Sequence, residues 1–396
     1  MKHPLPRGWN EVKLKDIGEI FGGGTPSTAN KEYWNGDILW LTPAEVTALK
    51  TKYLYDTERK ITELGLKNSS AKMIKPNSLI ICTRATIGDC CINKKEISTN
   101  QGFKSITPNN NYDVVFLYYL INYNRNLLIA NSSGSTFLEI SKSNLENLSF
   151  YFPPLDEQKR IADILSTFDD LIENLTKLIE KKEIYKKGVM QRVLTGKVRF
   201  NGFKDEWKTV RLGDIATFET GTSKSKYIDD NGKYIIIDMG AVSEKGKIIA
   251  NKKTNFNQEF IKKNSLIMPK DDIGNGRIIG KTAVIDIDNL YVLGDHVFQL
   301  TIKNNNPYFI SYCINSHDNN KQIRRLCAGS MQIGLSKKSI ENVRIKIPPS
   351  IEEQKKIGEL LTLIDKDIEI LKQILHLRKL QKKGVMQKLL TGEVRV

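Results

Sequence analysis

Few residues in this chain are spaced for bond-making chemistry. The nearest approach to a phosphate loop is Gly276-Arg277-Ile278-Ile279-Gly280-Lys281-Thr282. A P-loop keeps four residues between its glycines and opens a helix, so that backbone N–H groups ring a phosphate. Here three residues intervene and a β-branched stretch follows, which argues against nucleotide binding. Gly274-x-Gly276, with Ile279 beyond it, misses the last small residue of a dinucleotide fingerprint. Cys82, Cys90, Cys91, Cys313 and Cys327 are odd in number and irregular in spacing, and neither His296 nor His317 sits in an HExxH frame. Buried, reduced thiols and no metal site are therefore expected. Asp271-Asp272 reads as a solvated pair of loop carboxylates rather than a nuclease centre.

The chain is better supplied with groups that hold or read a polyanion. It carries 61 Lys and Arg against 45 Asp and Glu, a net charge of +16 over 396 residues. That surplus suits nucleic acid or an anionic membrane. A solubilising Lys-rich surface would give the same count. No apolar run reaches the ~18–20 residues of a bilayer span, and Met1 to Asn10 has no apolar signal core, so a cytoplasmic location without membrane partners is expected. Two strand candidates, Ser78 to Ile81 and Ser265 to Met268, each lead into a glycine-containing polar loop. The loops are Thr83 to Gly88 and Lys270 to Arg277. Such loops can bring backbone N–H, Arg and Thr groups to phosphates and base edges. Arg84 or Arg277 could hold guanine bidentately, and Asn100 and Gln101 could read adenine. Thr25, Ser27, Thr86, Lys104 and Ser135 complete the candidates in the first half. Lys224, Lys270, Lys281, His296 and Gln332 do so in the second. The plainer alternative is ordinary hairpin loops with solvated charges.

What positions these loops is a tandem duplication. Lys186-Lys187-Gly188-Val189-Met190-Gln191 recurs as Lys382-Lys383-Gly384-Val385-Met386-Gln387, an offset of 196 residues. The same offset carries Glu157-Gln158-Lys159 onto Glu353-Gln354-Lys355, and Val198-Arg199 onto Val394-Arg395. Each half is a variable globular part followed by a matched segment. Pro153-Pro154 and Pro348-Pro349 stop a strand and favour a helix start. Asp156 is a candidate N-cap, and Ser350 with Glu353 has capping-box spacing. Apolar residues then fall at Ile161, Leu165, Phe168, Ile172, Leu175 and Ile179, and again at Ile357, Leu361, Ile364, Ile368, Leu371 and Leu375. Spacings of 4 and 3 in alternation describe a coiled-coil seam. Gly188 and Gly384 are candidate helix ends. A helix of ~32 residues is about 48 Å long. Intramolecular antiparallel pairing of the two helices is favoured over pairing between chains. The expected fold is mixed α/β (α+β): two globular domains separated by two long helices in an antiparallel coiled coil, with a pseudo-twofold repeat. Residues 1–152 form the first domain, 153–190 the first helix, 191–209 a linker, 210–347 the second domain, 348–388 the second helix and 389–396 a tail. A rod of that length could hold two heads over half-sites separated by unread base pairs, since same-face major-groove sites recur every ~34–36 Å.

Particular blocks give this architecture a family likeness. Leu14-Lys15-Asp16-Ile17-Gly18, Gly22-Gly23-Gly24-Thr25-Pro26-Ser27, Tyr33-Trp34 through Trp40, Asn100-Gln101-Gly102-Phe103, Gly134-Ser135 and Pro153-Pro154-Leu155-x-Glu157-Gln158-x-x-Ile161 resemble the specificity subunits of type I restriction-modification enzymes. The likeness spans essentially the whole chain, and Pro348 to Ile357 is the second copy of the helix start. In the second head, Gly221-Thr222-Ser223 is only a remnant of the glycine block. The Trp block has no clear counterpart there, and Gly294-Asp295-His296 stands where Asn-Gln is expected. The resemblance implies two target-recognition domains on double-stranded DNA, two modification subunits and two restriction subunits as partners. It implies S-adenosylmethionine, ATP and Mg2+ in those partners, with no cofactor and no catalysis in this chain. Consistent with that, an adenine methyltransferase's Asp/Asn-Pro-Pro-aromatic motif is missing: Leu155 and Ser350 follow the proline pairs. A recognition subunit for a stand-alone methyltransferase is the alternative.

Overall fold

The computed structural model describes residues 6–134, 138–272, 276–327 and 333–396. Two long helices dominate it: α1, Leu155–Val193, and α2, Ile351–Leu390. The chain divides into two compact units, Met1–Thr176 with Ile374–Val396, and Lys177–Gln373. Each unit therefore holds one globular head and part of both helices.

The first head is built on a five-stranded sheet in the order Gly18–Gly22, Phe103–Pro108, Leu79–Cys82, Cys90–Asn93 and Tyr53–Leu54. A three-stranded sheet, Arg59–Ile61, Trp34–Leu41 and Ser98–Thr99, lies beside it in the topology, its last pair parallel. The second head repeats the plan. Its four-stranded sheet runs Ala216–Glu219, Val297–Ile302, Leu266–Pro269, Ala283–Val284, and its three-stranded sheet runs Lys253–Thr254, Tyr234–Ile237, Tyr291–Leu293, again with the last pair parallel. Among the described residues, the extra edge strand Tyr53–Leu54 belongs to the first head's larger sheet alone. In both heads an antiparallel ribbon joins the start of the head to its end: Asn10–Lys13 with Ser149–Phe152, and Lys208–Arg211 with Arg344–Ile347. The central strands are buried along their whole length because both faces are covered.

The helices complete the cores of the heads. In the first unit Ile161, Ala162 and Leu165 of α1 pack with Leu389 and Leu390 of α2 against Phe116, Leu120 and Phe152. In the second, Ile357 and Leu361 of α2 pack with Val193 and Leu194 at the end of α1 against Phe309 and Ile345. The start of one helix thus meets the end of the other in each unit, which is antiparallel pairing within one chain. Of the seam residues, Ile161, Leu165, Ile179, Ile357, Leu361 and Ile368 are buried, and Phe168, Ile172, Leu175, Ile364, Leu371 and Leu375 are half-buried.

Three local expectations are corrected. Gly188 and Gly384 are helix-interior positions with open space around them, not helix ends. The chain leaves the helices at Gly196 and Gly392, whose φ of 72° and 71° needs glycine. Asp156 lies inside the first turn of α1, where the carbonyl of Pro154 accepts from the amides of Glu157 and Gln158. Ser350 does accept from the Glu353 amide at 3.4 Å, but the Glu353 carboxylate is committed elsewhere, to Arg199. The cysteines are unpaired, four buried and Cys327 half-buried. Among the described residues no helix is long and apolar enough to cross a membrane.

Candidate nucleic-acid interface

The glycine block of the first head is a loop hung from two tryptophans. The Trp40 indole N–H donates to the Gly24 carbonyl at 2.9 Å, and the Trp34 indole N–H donates to the Ser27 carbonyl at 3.1 Å. The two rings meet edge to face with centroids 5.0 Å apart, and the Arg59 guanidinium lies 3.9 Å from the Trp34 centroid. Thr25 donates its hydroxyl to the Gln101 side chain, and the Asn100 side-chain oxygen accepts from the Gly102 amide at 2.9 Å. Gly23 must be glycine here, because a Cβ would strike the Asn100 carbonyl. Thr25, Ser27, Asn100 and Gln101 therefore form one surface, with Thr25, Ser27 and Gln101 exposed. The tryptophan and glycine blocks are parts of one device, which accounts for the second head lacking both.

That head keeps the backbone approach without the tryptophans. A Cβ on Gly221 would strike the carbonyls of Leu293 and Gly294, as Gly23 meets Asn100, so Gly294-Asp295-His296 occupies the corresponding place. His296 holds a φ of 61° and hydrogen-bonds Asp271 at 2.7 Å, and its carbonyl accepts from the Lys270 amide at 3.0 Å. Lys224 is turned inward. Its ammonium donates to Thr222 Oγ1 and Glu259 at 2.7 Å each, and the side chain is 1% exposed. It shapes the loop and offers nothing to a ligand.

Arg84, Thr86, Arg277 and Lys281 fall on the strand-exit loops, and Lys104 lies in the strand Phe103–Pro108. Arg84 is paired with Glu139 at 2.7 Å. Lys104 is half-buried, and burial holds its ammonium below the usual range. The Thr86 hydroxyl accepts from Thr47 at 3.4 Å. Arg277 is exposed and 3.5 Å from Glu244, and Lys281 reaches the Asn315 carbonyl at 3.4 Å. Ser135 and Gln332 lie outside the described residues.

What fixes the heads to the helices is a set of contacts repeated in both halves. Gln158 accepts from the Asp113 amide at 2.9 Å and donates to the Pro153 carbonyl at 2.9 Å and the Asn111 carbonyl at 3.2 Å. Gln354 accepts from the Asn306 amide at 2.8 Å and donates to the Pro348 carbonyl at 3.0 Å and the Asn305 side chain at 2.8 Å. Each glutamine thereby clamps the N-cap of a head helix, Val114–Tyr123 or Pro307–Asn315. Next to it, buried Glu157 takes Arg395 through two bonds of 2.7 Å, and buried Glu353 takes Arg199 through two of 2.8 Å. The arginine that follows one helix seals the start of the other. Farther along, Lys382 and Tyr119 converge on Asp169, while Lys186 and Tyr312 converge on Asp365. Sequence reasoning missed the roles of Gln158, Gln354, Arg199, Arg395 and Arg59. For the first four the signal was present in their shared offset.

The comparisons with known proteins agree with this construction. A family model described as the type I restriction modification DNA specificity domain matches twice, over residues 6–183 and 204–377. The MjaIX specificity subunit of a type I restriction enzyme from Methanocaldococcus jannaschii is 32% identical, over 99% of this chain and 95% of that protein. The MjaVIII specificity subunit of the same organism is 27% identical over 99% and 94%. In fold, the crystal structure of a type I restriction-modification S subunit from M. genitalium is similar with a TM-score of 0.64, at 19% identity and 98% coverage of both chains. With two copies of the domain and a full-length relative, the chain belongs to the family of type I restriction-modification specificity subunits.

Proposed function

We propose that this chain reads double-stranded DNA for a type I restriction-modification complex, each head recognising one half of a bipartite, asymmetric target. The observation that carries this reading is that two heads of one topology present unlike loops: a tryptophan-hung Thr25-Ser27-Gln101 surface on one, and a Lys270-Asp271-His296 cluster on the other. A common frame with different donors and acceptors is what two different half-sites require. Arg84, Thr86 and Lys104 would contribute at the first half-site, and Arg277 and Lys281 at the second. The paired helices set the unread spacer. The heads and helices also dock two modification subunits and two restriction subunits. S-adenosylmethionine, ATP and Mg2+ act in those partners, and this chain contributes recognition rather than catalysis.

The test is an exchange of residues 14–152 for the first head of another family member, expressed with the modification subunit. Sequencing of methylated adenines should show one half of the motif changed and the spacer kept. A change in both halves, or methylation by the purified chain alone, refutes the reading.

A further inference from the structure

The segment that resembles a phosphate loop in sequence has a different structure and a different use. Gly276 and Gly280 take φ of 67° and 68°, and the segment makes a turn ahead of the strand Ala283–Val284 instead of opening a helix. A Cβ on Gly280 would lie 2.4 Å from Ile323 Cγ2, so the turn is pressed onto the helix His317–Arg324. Asn320 ties the two together through the Ile279 carbonyl at 3.4 Å. This brings Arg277 and Lys281 of the turn and Lys321, Arg324 and Arg325 of the helix region to one pocket of about 760 Å³. Glu244 is the carboxylate among the lining residues. Burial, and then the charge of Arg324, holds the Lys281 ammonium below its usual range. Five cations against one carboxylate give the pocket a positive lining that suits an anion.

The first head has the same frame with as many carboxylates as arginines. Gly88, at φ 87°, is pressed onto Arg125 of the equivalent helix Arg125–Ala130. There Asp89 takes Arg125 at 2.5 Å and Glu139 takes Arg84 at 2.7 Å. The second head, residues 210–347, also carries 21 Lys and Arg against 14 Asp and Glu, where the first, residues 1–152, carries 18 against 14.

We infer that the pocket formed by Arg277, Lys281, Lys321, Arg324 and Arg325 grips phosphates of the DNA backbone, making the second head the sequence-independent anchor of the chain. Guanidinium forks and ammonium groups match phosphate oxygens directly. The inference rests on the DNA-reading function proposed above, and it adds an asymmetry: the grip is concentrated on one head.

The experiment measures binding of the full chain to a random-sequence duplex by fluorescence anisotropy across a salt series. Lys321→Gln combined with Arg324→Gln, both at exposed positions, should weaken binding about tenfold or more at 0.1 M salt and flatten the log–log salt slope by ~2. Glu244→Gln should tighten it. Lys262→Gln with Lys263→Gln, exposed in the same head, should change the affinity less than twofold. Wild-type binding that persists unchanged in the pocket variant overturns the pocket alone, as does an equal loss in the Lys262/Lys263 control. Displacement of the duplex by 1 mM MgATP would reassign the pocket to free nucleotide and also overturn it. A wild-type chain with no salt-dependent binding overturns the DNA-reading function as well.

Discussion

Gln354→Leu is the most informative single change. Leucine keeps most of the side-chain volume and removes all three hydrogen bonds of a residue that is 1% exposed. It leaves the amide of Asn306 and the carbonyl of Pro348 without the partners they have at 2.8 and 3.0 Å. A buried hydrogen bond contributes roughly 0.5–1.5 kcal/mol, and an unsatisfied buried group costs about 1–3 kcal/mol. A loss of about 3 kcal/mol follows, on the order of a hundredfold in the opening equilibrium. Because the clamp acts on the N-cap of Pro307–Asn315, the loss should be local. Hydrogen exchange read by mass spectrometry should show peptides covering 307–315 exchanging about a hundredfold faster, with 114–123 unchanged. Gln158→Leu should reverse the assignment. If either variant changes exchange less than threefold in its own head, or equally in both heads, the clamp does not hold the heads as argued.

Glycine substitutions should differ in sign by position. Gly196→Ala and Gly392→Ala force alanine into left-handed backbone beside Trp207 and Trp9, and should each cost about 1–2 kcal/mol. Gly188→Ala and Gly384→Ala, inside helices with open space, should each gain ~0.5–1 kcal/mol in thermal unfolding. Trp40→Phe removes the donor to Gly24 while keeping a ring. It should degrade recognition of one half of the methylated motif and leave the other half intact, as read by methylation sequencing. The Glu183 carboxylate is held below its usual range by Lys372 and then Lys245. A folded-state pKa below the unfolded one gives stabilisation that is present above ~4.3 and lost as the pH falls through the folded value. Acidification from pH 6 to pH 3 should therefore lower the protection factors in 177–193, taken against the intrinsic exchange rate at each pH, and Glu183→Gln should remove part of that pH dependence.

The helices and the duplication were legible because each signal repeats. The seam spacing covers about five turns, and the offset of 196 residues holds throughout the matched helices. Less of the heads could be read. Many of their strands are two to four residues long, too short for an alternating pattern to declare itself, and the parallel pair Trp34–Leu41 with Ser98–Thr99 joins segments far apart in sequence. Lys224 shows why residue type alone misled: a lysine beside Thr222 reads as a surface cation until Glu259, 35 residues on, proves to take it inward. Gly188 misled because a glycine after a long apolar pattern is the usual sign of an end, and only the five further helical residues to Val193 distinguish it. The pocket of the second head was half visible, through Arg277 and Lys281. Lys321, Arg324 and Arg325 join it only because Gly280 lets the turn touch their helix.

The Glu157–Arg395 seal has a consequence for synthesis. The second unit is a single stretch, Lys177–Gln373, and its Arg199 and Glu353 have both been synthesised before translation passes residue 374. The first unit needs Leu389, Leu390 and Arg395 to close its core and cover its buried carboxylate. The head translated first is therefore the one finished last. Damage to residues 385–396 would fall on the first head and spare the second.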